Sequence, residues 1–239
     1  MIKRIFSPNE LDILPNTGIE AGKLRALLAA YGTKYDFCRF YTSENTIIGG
    51  LNNDFIVCDF GKYEESELDE LAAFFKFSGF TEIFCSCHLG EPLIKKYGFN
   101  GHRIFLMNFD EHNKAVLDSR VDNSPTLREV YDILKTGFDI EFEPWYLDMS
   151  HRIRHGVSCF RRLEGSVLSV QHNINGEVLL SQIVSLPEKR GRHITSKLIL
   201  SVCAEYAPSK IFVLCESGLK GFYQKIGFNK HDEKFIISP

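Results

Sequence analysis

A basic segment directly ahead of a helix-like pattern is the part of the sequence best suited to bind an anion. Residues 185–200 read SLPEKRGRHITSKLIL, with Lys189, Arg190 and Arg192 between a proline and the first apolar residue of the pattern. The first turn of a helix carries unpaired N–H groups and a partial positive charge, so a phosphate placed there finds donors and a favourable field together. The segment therefore indicates a pyrophosphate site; the alternative is a solvated basic turn at the start of a surface helix.

A strand and a helix must position this segment. The apolar run EVLLSQIVSL ends just before Pro187, and the helical pattern starts near His193. Ile194, Leu198 and Val202 then recur on one helical face. The order strand, basic loop, helix puts the N–H groups of the helix directly after the end of a strand.

The composition is that of a folded, nearly neutral protein. The chain has 239 residues, 25 % charged and 44 % hydrophobic, with a formal net charge of -3, which fits one large domain or two small ones. The charge balance lacks the basic surplus of nucleic-acid binders, so no nucleic-acid partner is expected. Because no apolar run reaches the length of a signal-peptide core or a membrane span, we expect a cytoplasmic protein that does not bind membranes.

Two groups of residues have partial metal-ligand spacing. Cys85, Cys87 and His88 form the sequence CSCH, and His151 and His155 lie four residues apart. No second ligand pair follows the first group, and no third ligand lies near the two histidines. The seven cysteines stand in apolar contexts typical of buried, reduced thiols. We therefore expect no metal site.

The two halves of the chain resemble each other. EIFCSCHLGEPLIKKYGFN from residue 82 recurs, with one inserted residue, as KIFVLCESGLKGFYQKIGFN from residue 210. In each half a helical pattern precedes three strand patterns, a second helix and the repeated strand. The sequence therefore predicts two related α+β units, each with a mixed sheet, at about residues 1–115 and 120–239.

The strand order of the second half follows from its turns. Glu164-Gly165 and Asn175-Gly176 separate the runs VSCFRRL, SVLSVQH and EVLLSQIVSL, and Asn-Gly favours a two-residue hairpin. A long helix separates the last of these runs from KIFVLC at 210–215. A helical crossover predicts that KIFVLC pairs in parallel with the preceding strand.

Residues 125–237 resemble the GNAT superfamily of acyl-CoA-dependent N-acyltransferases. Members carry a Pro-x-x-Arg-Gly turn within an R-x-x-G-x-G/A pattern, then a Phe-Tyr-x-x-x-Gly-Phe run, and this chain has VSLPEKRGRHITSKLI followed by GFYQKIGF. His193 and Thr195 occupy the two positions where the family prefers glycine or alanine, and a Cβ there takes up space close to a pyrophosphate. Ser185 stands where the family usually has valine.

The resemblance implies a bound acetyl-CoA. Its pyrophosphate would contact the loop amides, and its pantetheine arm would pair like an extra strand with the backbone of the last meander strand. The residues implied for these contacts are Ile183, Val184, Ser185, Arg190, Gly191, Arg192, His193, Ile194, Thr195 and Ser196. The resemblance also makes Tyr223 the general acid for the departing thiolate, and a backbone N–H near Val184 the oxyanion donor. Without the resemblance, Tyr223 reads as an amphipathic core tyrosine.

The acceptor would bind around the segment GFDIEFEPWYLDMSHRIRHG, by resemblance. Glu143 could attract an ammonium group while Trp145 and Tyr146 pack over it, and Glu216 follows the repeated strand. The alternative is a surface loop anchored by its tryptophan. The general base stays open among water, His151, Glu143 and Glu216, because Leu179 stands where some members have a strand glutamate.

The function expected from these residues is N-acetyl transfer from acetyl-CoA to a primary amine of a small molecule or peptide. A non-catalytic acyl-CoA binder or sensor is the alternative suggested by His193 and Thr195, and an aminoacyl transferase is a third possibility. In the first half, Ile94 replaces Tyr223 and the loop at residues 60–66 is acidic. We expect no acyl-CoA site there. Oligomeric state does not follow from the sequence.

Overall fold

The described part of the chain, residues 1–61 and 63–239, alternates between strands and helices in the computed structural model. It divides into a first unit of residues 1–106 and 232–239 and a second unit of residues 107–231. The expected domains, 1–115 and 120–239, stay a prediction. They differ from these units at the end of the chain, where residues 232–239 lie with the first unit.

The first unit is built from strands and helices in close alternation. Its elements are β1 (Lys3–Ile5), α1 (Ile19–Tyr31), β2 (Cys38–Thr42), β3 (Thr46–Leu51), β4 (Asp54–Asp59), α2 (Glu65–Ser78), β5 (Glu82–Ser86), α3 (Cys87–Tyr97) and β6 (Asn100–Phe109), which continues into the second unit. The sheet runs in the order β1, β2, β3, β4, β5, with β4 and β5 parallel and the other neighbours antiparallel.

The second unit repeats this plan. Its elements are α4 (Leu127–Leu134), α5 (Phe142–Arg154), β7 (Cys159–Leu163), β8 (Ser166–Ile174), β9 (Glu177–Ser185), α6 (Ile194–Glu205), β10 (Lys210–Cys215), α7 (Lys220–Lys225) and β11 (Phe228–Ser238). Strand β11 continues into the first unit, where it pairs antiparallel with β5. Both units combine helices with a mixed sheet, which confirms the predicted α+β class.

The hairpins of the second unit form at the predicted turns. Asn175 and Gly176 adopt φ of 52° and 77° and join β8 to β9 antiparallel, while Glu164 turns β7 into β8 with φ of 51°. Left-handed pairs of this kind match the twist of the strands that they connect. Strand β10 pairs in parallel with β9, as the helical crossover predicts.

The first helix of the second unit begins with a capping box. Thr126 accepts from the backbone N–H of Glu129, and the Glu129 carboxylate accepts from the backbone N–H of Thr126. Each side chain therefore satisfies an N–H group that the helix start leaves unpaired. Thr126 is therefore the N-cap of α4.

Four elements were not expected from the sequence. Strand β1 precedes the first helix, the segment after α4 forms helix α5, and strands β6 and β11 follow the short helices α3 and α7. Pro144 and neighbouring aromatic residues obscure the helical period in α5. Within residues 1–61 and 63–239, no helix combines the length and hydropathy that a bilayer crossing requires.

A close approach at Gly90 distinguishes the two copies of the repeat. A Cβ on Gly90 in α3 would lie 2.6 Å from Cγ of Phe235, which belongs to the apolar core of the first unit with Leu71, Phe75 and Ile83. The matching Gly218 of the second copy has open space around it. Glycine is therefore sterically required in the first copy only.

Gly90→Ala should destabilise the protein by roughly 1–3 kcal/mol, because overpacking at Phe235 outweighs the gain in helix propensity. Gly218→Ala is the matched control and should change the free energy of unfolding by less than about 0.5 kcal/mol. Urea unfolding followed by circular dichroism measures both. Equal effects of the two substitutions would contradict the steric requirement at Gly90.

Candidate functional site

Strands β9 and β10 separate before β9 ends. The parallel ladder starts at Glu177 with Lys210, and its last pair in the described chain is Leu180 with Val213. Beyond it, Gln182 adopts a left-handed φ of 48°, at an irregularity in the pairing of β9 with β8. A bulge of this kind bends a strand and interrupts its ladder. The backbone from Ser181 to Ser185 therefore runs along a gap in the sheet that an extended ligand could fill.

The basic loop begins where this gap ends. After a short turn at Pro187–Lys189, Gly191 has φ of 76° and His193 caps α6 in the left-handed conformation, with φ of 59° and ψ of 14°. Left-handed residues among right-handed and extended ones turn successive N–H groups toward one side, which makes an anion-binding concavity. The loop and the start of α6 thus have the geometry of a phosphate site.

The side chain of Arg190 connects the basic loop to strand β9. Its Nε donates a hydrogen bond of 3.3 Å to the backbone carbonyl of Ser185, and the residue is otherwise exposed. Arg192 and His193 are also exposed. Positive charge therefore stands at the helix start, where it adds to the field of the helix N-terminus.

Ser185 and Thr195, which both differ from the residues that the motif prefers, contact each other. The hydroxyls of Ser185 and Thr195 share a hydrogen bond, and Ser185 shares a second one of 2.5 Å with Ser166 of β8. Ser166 and Ser185 are buried. The Thr195 hydroxyl is therefore directed at the strands and satisfied there. A valine in place of Ser185 would remove the hydrogen bond between Ser185 and the Thr195 hydroxyl. Serine at 185 and threonine at 195 are therefore structurally coupled.

Tyr223 lies on the short helix α7 that follows β10. Its side chain is 5 % exposed and packs against the rings of Phe222 and Phe228, with centroids 5.1 and 5.6 Å away. Burial, and then the nearby Cys215, raise the pKa of Tyr223 above its ordinary value of 10.0. The phenol is therefore a neutral proton donor at physiological pH.

Cys215 ends strand β10 close to Tyr223. Burial, followed by the charge of Glu216, raises the pKa of this thiol to about 11. A thiol with this pKa is protonated at neutral pH and is a poor nucleophile.

The predicted acceptor residues are spread over different environments. Trp145 is 8 % exposed and packs into an apolar cluster with Phe160 and Val184, whereas Tyr146 is 41 % exposed and lies against Phe142. Consecutive helical residues point about 100° apart, so the structure does not bring Trp145 and Tyr146 onto one face. Glu143 is exposed on α5, and Glu216 is exposed after β10. Their roles stay predictions.

Contacts with the end of β9 were not foreseen from the sequence. Val184 packs against Trp145, and Gly137 approaches Val184 so closely that a Cβ on Gly137 would overlap it. The left-handed residue Gln182 was also missed. Neither feature has a local sequence signal, because both depend on which elements pack together.

The corresponding place in the first unit is arranged differently. The described ladder between β4 and β5 has its last pair at Ile56 and Phe84, and beyond it Ser86 donates a 2.6 Å hydrogen bond to the Asp59 carboxylate across the two strand ends. The ring of Tyr63 stacks on His88 at 5.4 Å. Lys62, within the 60–66 loop, lies outside the described residues. The expectation that the first unit has no acyl-CoA site stays a prediction.

The residues with partial metal-ligand spacing are not assembled into a site. Cys85 is buried in β5, and the ring of His151 lies 4.2 Å from that of His155. Throughout the part of the chain that the structure describes, no three His, Cys, Asp or Glu side chains are arranged to hold a metal ion.

Comparison with known proteins identifies the fold. Neither a family sequence model nor a curated protein sequence matches the chain. Among solved structures, a Drosophila protein matches with a TM-score of 0.69 at 14 % identity, covering 100 % of this chain and 98 % of its own. A tandem GNAT protein from the clavulanic acid biosynthesis pathway matches with 0.65 at 7 % identity, with the same coverages. A GCN5-related N-acetyltransferase from Kribbella flavida matches with 0.64 at 9 % identity, covering 92 % and 93 %.

These likenesses confirm the predicted fold. The chain has the GNAT fold, and it matches a tandem GNAT protein over its whole length. At these identities the comparison concerns the fold alone, so activity and site residues must be argued from the chain itself.

His193→Gly should be more stable than His193→Ala by about 1 kcal/mol, because only glycine adopts the left-handed cap without steric cost. Both variants lose the imidazole, so their difference reports the backbone alone. Thermal unfolding of the two variants measures it. An alanine variant as stable as the glycine variant would show that the cap conformation is not strained.

Proposed function

We propose that the chain is an N-acyltransferase that moves an acetyl group from acetyl-CoA to a primary amine of a small molecule or peptide. The observation that carries the proposal is the separation of β9 from β10 beside the basic start of α6. The part of β9 beyond this ladder offers backbone groups to an extended ligand, and the loop before α6 offers amides to an anion, both within the second unit.

The residues present fit coenzyme A. The open loop around Gly191 and the left-handed cap at His193 present the amides of the α6 start to a pyrophosphate, and Arg190 adds a full charge beside them. The backbone from Ile183 to Ser185 offers ladder positions to the amides of the pantetheine arm. Thr195 leaves room because its hydroxyl is directed at Ser185.

The chemistry assigned to the chain is direct transfer. The amine nitrogen attacks the thioester carbonyl, and a backbone N–H of β9 near Val184 stabilises the oxyanion. As the C–S bond breaks, Tyr223 donates its phenolic proton to the departing thiolate, and solvent returns a proton to the phenolate. The amine proton goes to water or to a nearby base. The products are the N-acetylated amine and the free thiol of coenzyme A.

The general base is the least defined role. Leu179 is buried in β9 and carries no ionisable group, while Glu143 and Glu216 are exposed. This arrangement suits deprotonation of the amine through water. It also favours a second candidate function, a non-catalytic acyl-CoA binder, which would bind the thioester and turn over no amine.

Arg190→Glu should weaken acetyl-CoA binding by about a hundredfold, because it removes a cation at the phosphate site and adds a repulsive charge. Isothermal titration calorimetry of purified protein measures the change. Lys210→Glu, an equal change of charge at the opposite end of β10, should bind like the wild type. No binding by the wild type, or equal loss in both variants, would refute the phosphate site.

Tyr223→Phe should lower kcat by about a hundredfold or more and leave acetyl-CoA affinity unchanged, because only the proton donor is removed. Release of coenzyme A across a panel of primary amines measures turnover. Because burial raises the pKa of Tyr223 above 10.0, the donor stays protonated below that pH, and loss of rate from its ionisation should begin only above it. Full kcat in the variant would exclude Tyr223 as the acid. Binding without turnover in the wild type would favour the non-catalytic binder.

A further inference from the structure

A cavity of about 650 Å³ lies where helix α6 ends and strand β10 begins. Its walls come from the segment 108–113, from the end of α6 with the turn that follows, and from Asn229 of β11. All of these residues belong to the second unit. Cys203 in this wall lies about 13 Å along α6 from Ile194, at the candidate pyrophosphate loop. The cavity is therefore separate from the candidate site.

A buried oxygen atom of Asn108 points to a ligand in this cavity. Asn108 lines the cavity, its Oδ1 atom is buried, and within residues 1–61 and 63–239 this atom accepts no hydrogen bond. A buried acceptor without a donor is unfavourable, so such atoms are rare in folded proteins. A bound molecule that donates an N–H to Asn108 Oδ1 would satisfy it.

The neighbouring polar side chains also offer mainly acceptors. Asn113 donates from Nδ2 to the carbonyl of Gly227 at 3.0 Å, and Asn229 donates from Nδ2 to the Asp110 carboxylate at 3.3 Å. Neither bond uses the amide oxygen of the asparagine. Glu111 adds a second carboxylate to the wall. An ammonium group, which has three donors and no acceptor, complements such a wall.

Glu111 and Lys210 carry opposite charges in the wall and do not neutralise each other. Both side chains are exposed, and neither forms an ion pair with any residue that the structure describes. A ligand with one ammonium and one carboxylate group would compensate both charges. An α-amino acid carries these two groups on a single carbon atom.

The remaining wall of the cavity is apolar. Cys203 and Ile211 are each 2 % exposed, and Ala204, Ala207 and Pro208 lie between them along the chain. A volume of about 650 Å³ leaves room beyond the two charged groups of an amino acid. An apolar side chain placed there would remove apolar surface from water on both partners.

We propose that this cavity binds a free α-amino acid with a large apolar side chain. The ammonium group contacts Asn108 Oδ1 and Glu111, the carboxylate contacts Lys210, and the side chain lies against the end of α6. This is a second ligand site in the unit. It does not depend on the proposed function, because it shares no residue with the candidate acyl-CoA site.

Calorimetry of the full chain with L-phenylalanine and L-leucine tests the proposal. L-Phenylalanine should bind at least about tenfold more tightly than phenethylamine, which lacks the carboxylate, or 3-phenylpropionate, which lacks the ammonium group. Glycine, which has both charges and no side chain, should also bind more weakly. Each comparison removes one of the three groups that the cavity is proposed to recognise.

Two variants locate the binding. Lys210→Gln should weaken L-phenylalanine binding by about tenfold and leave phenethylamine binding unchanged, because only the partner of the carboxylate is lost. Glu111→Gln should weaken L-phenylalanine and leave 3-phenylpropionate unchanged. Lys225→Gln, at an exposed lysine outside the cavity, should bind like the wild type. Unchanged thermal unfolding shows that the variants are folded.

Two results would overturn the proposal. One is that neither L-phenylalanine nor L-leucine binds the wild type at millimolar concentrations. The other is binding that Lys210→Gln and Glu111→Gln both leave unchanged, because the amino acid would then bind elsewhere, such as the predicted acceptor region around α5. Neither result bears on acetyl-CoA binding, which is measured separately.

Discussion

Strands β9 and β10 pair over a short ladder, and the candidate site depends on where that ladder ends. Its last described pair is Leu180 with Val213, and the left-handed bulge residue Gln182 follows in β9. Had pairing continued, the N–H and C=O groups of residues 183–185 on this side would be used within the sheet, and a ligand could not pair with them. The bulge thus converts an interior strand into a local edge without ending the sheet. The basic loop then follows immediately in the chain.

The loop achieves the geometry of the motif with atypical residues. His193 adopts the left-handed conformation that glycine would adopt more easily, which costs about 1 kcal/mol. Thr195 adds a hydroxyl, and Ser185 together with Ser166 accommodates it in a small hydrogen-bonded group behind the loop. Thr195 differs from the glycine or alanine of the motif, and Ser185, ten residues earlier, provides the hydrogen-bond partner for its hydroxyl.

The two units show that one plan can carry different chemistry. Each has a parallel pair of strands whose described ladder ends before the strands do. In the second unit a cationic loop follows β9, and the buried phenol of Tyr223 lies near Cys215 at the end of β10. In the first unit Asp59 and Ser86 bridge the strand ends, and Tyr63 stacks on His88. The two units share an order of elements and differ in the residues at the strand ends.

The sequence by itself determined the local elements and the tandem plan. Asn175-Gly176, the helical crossover and the repeated segments each depend on interactions between residues close in the chain, so their outcome was readable. The basic loop was found from its charges ahead of a helical pattern, whereas the role of Tyr223 was implied only by the resemblance to the GNAT superfamily. The structure alone decided that Trp145 is buried against Val184, that Thr195 bonds Ser185, and that segment 108–113 forms a cavity with the end of α6. These contacts join residues distant in the chain, and their free energy depends on packing that no single segment encodes.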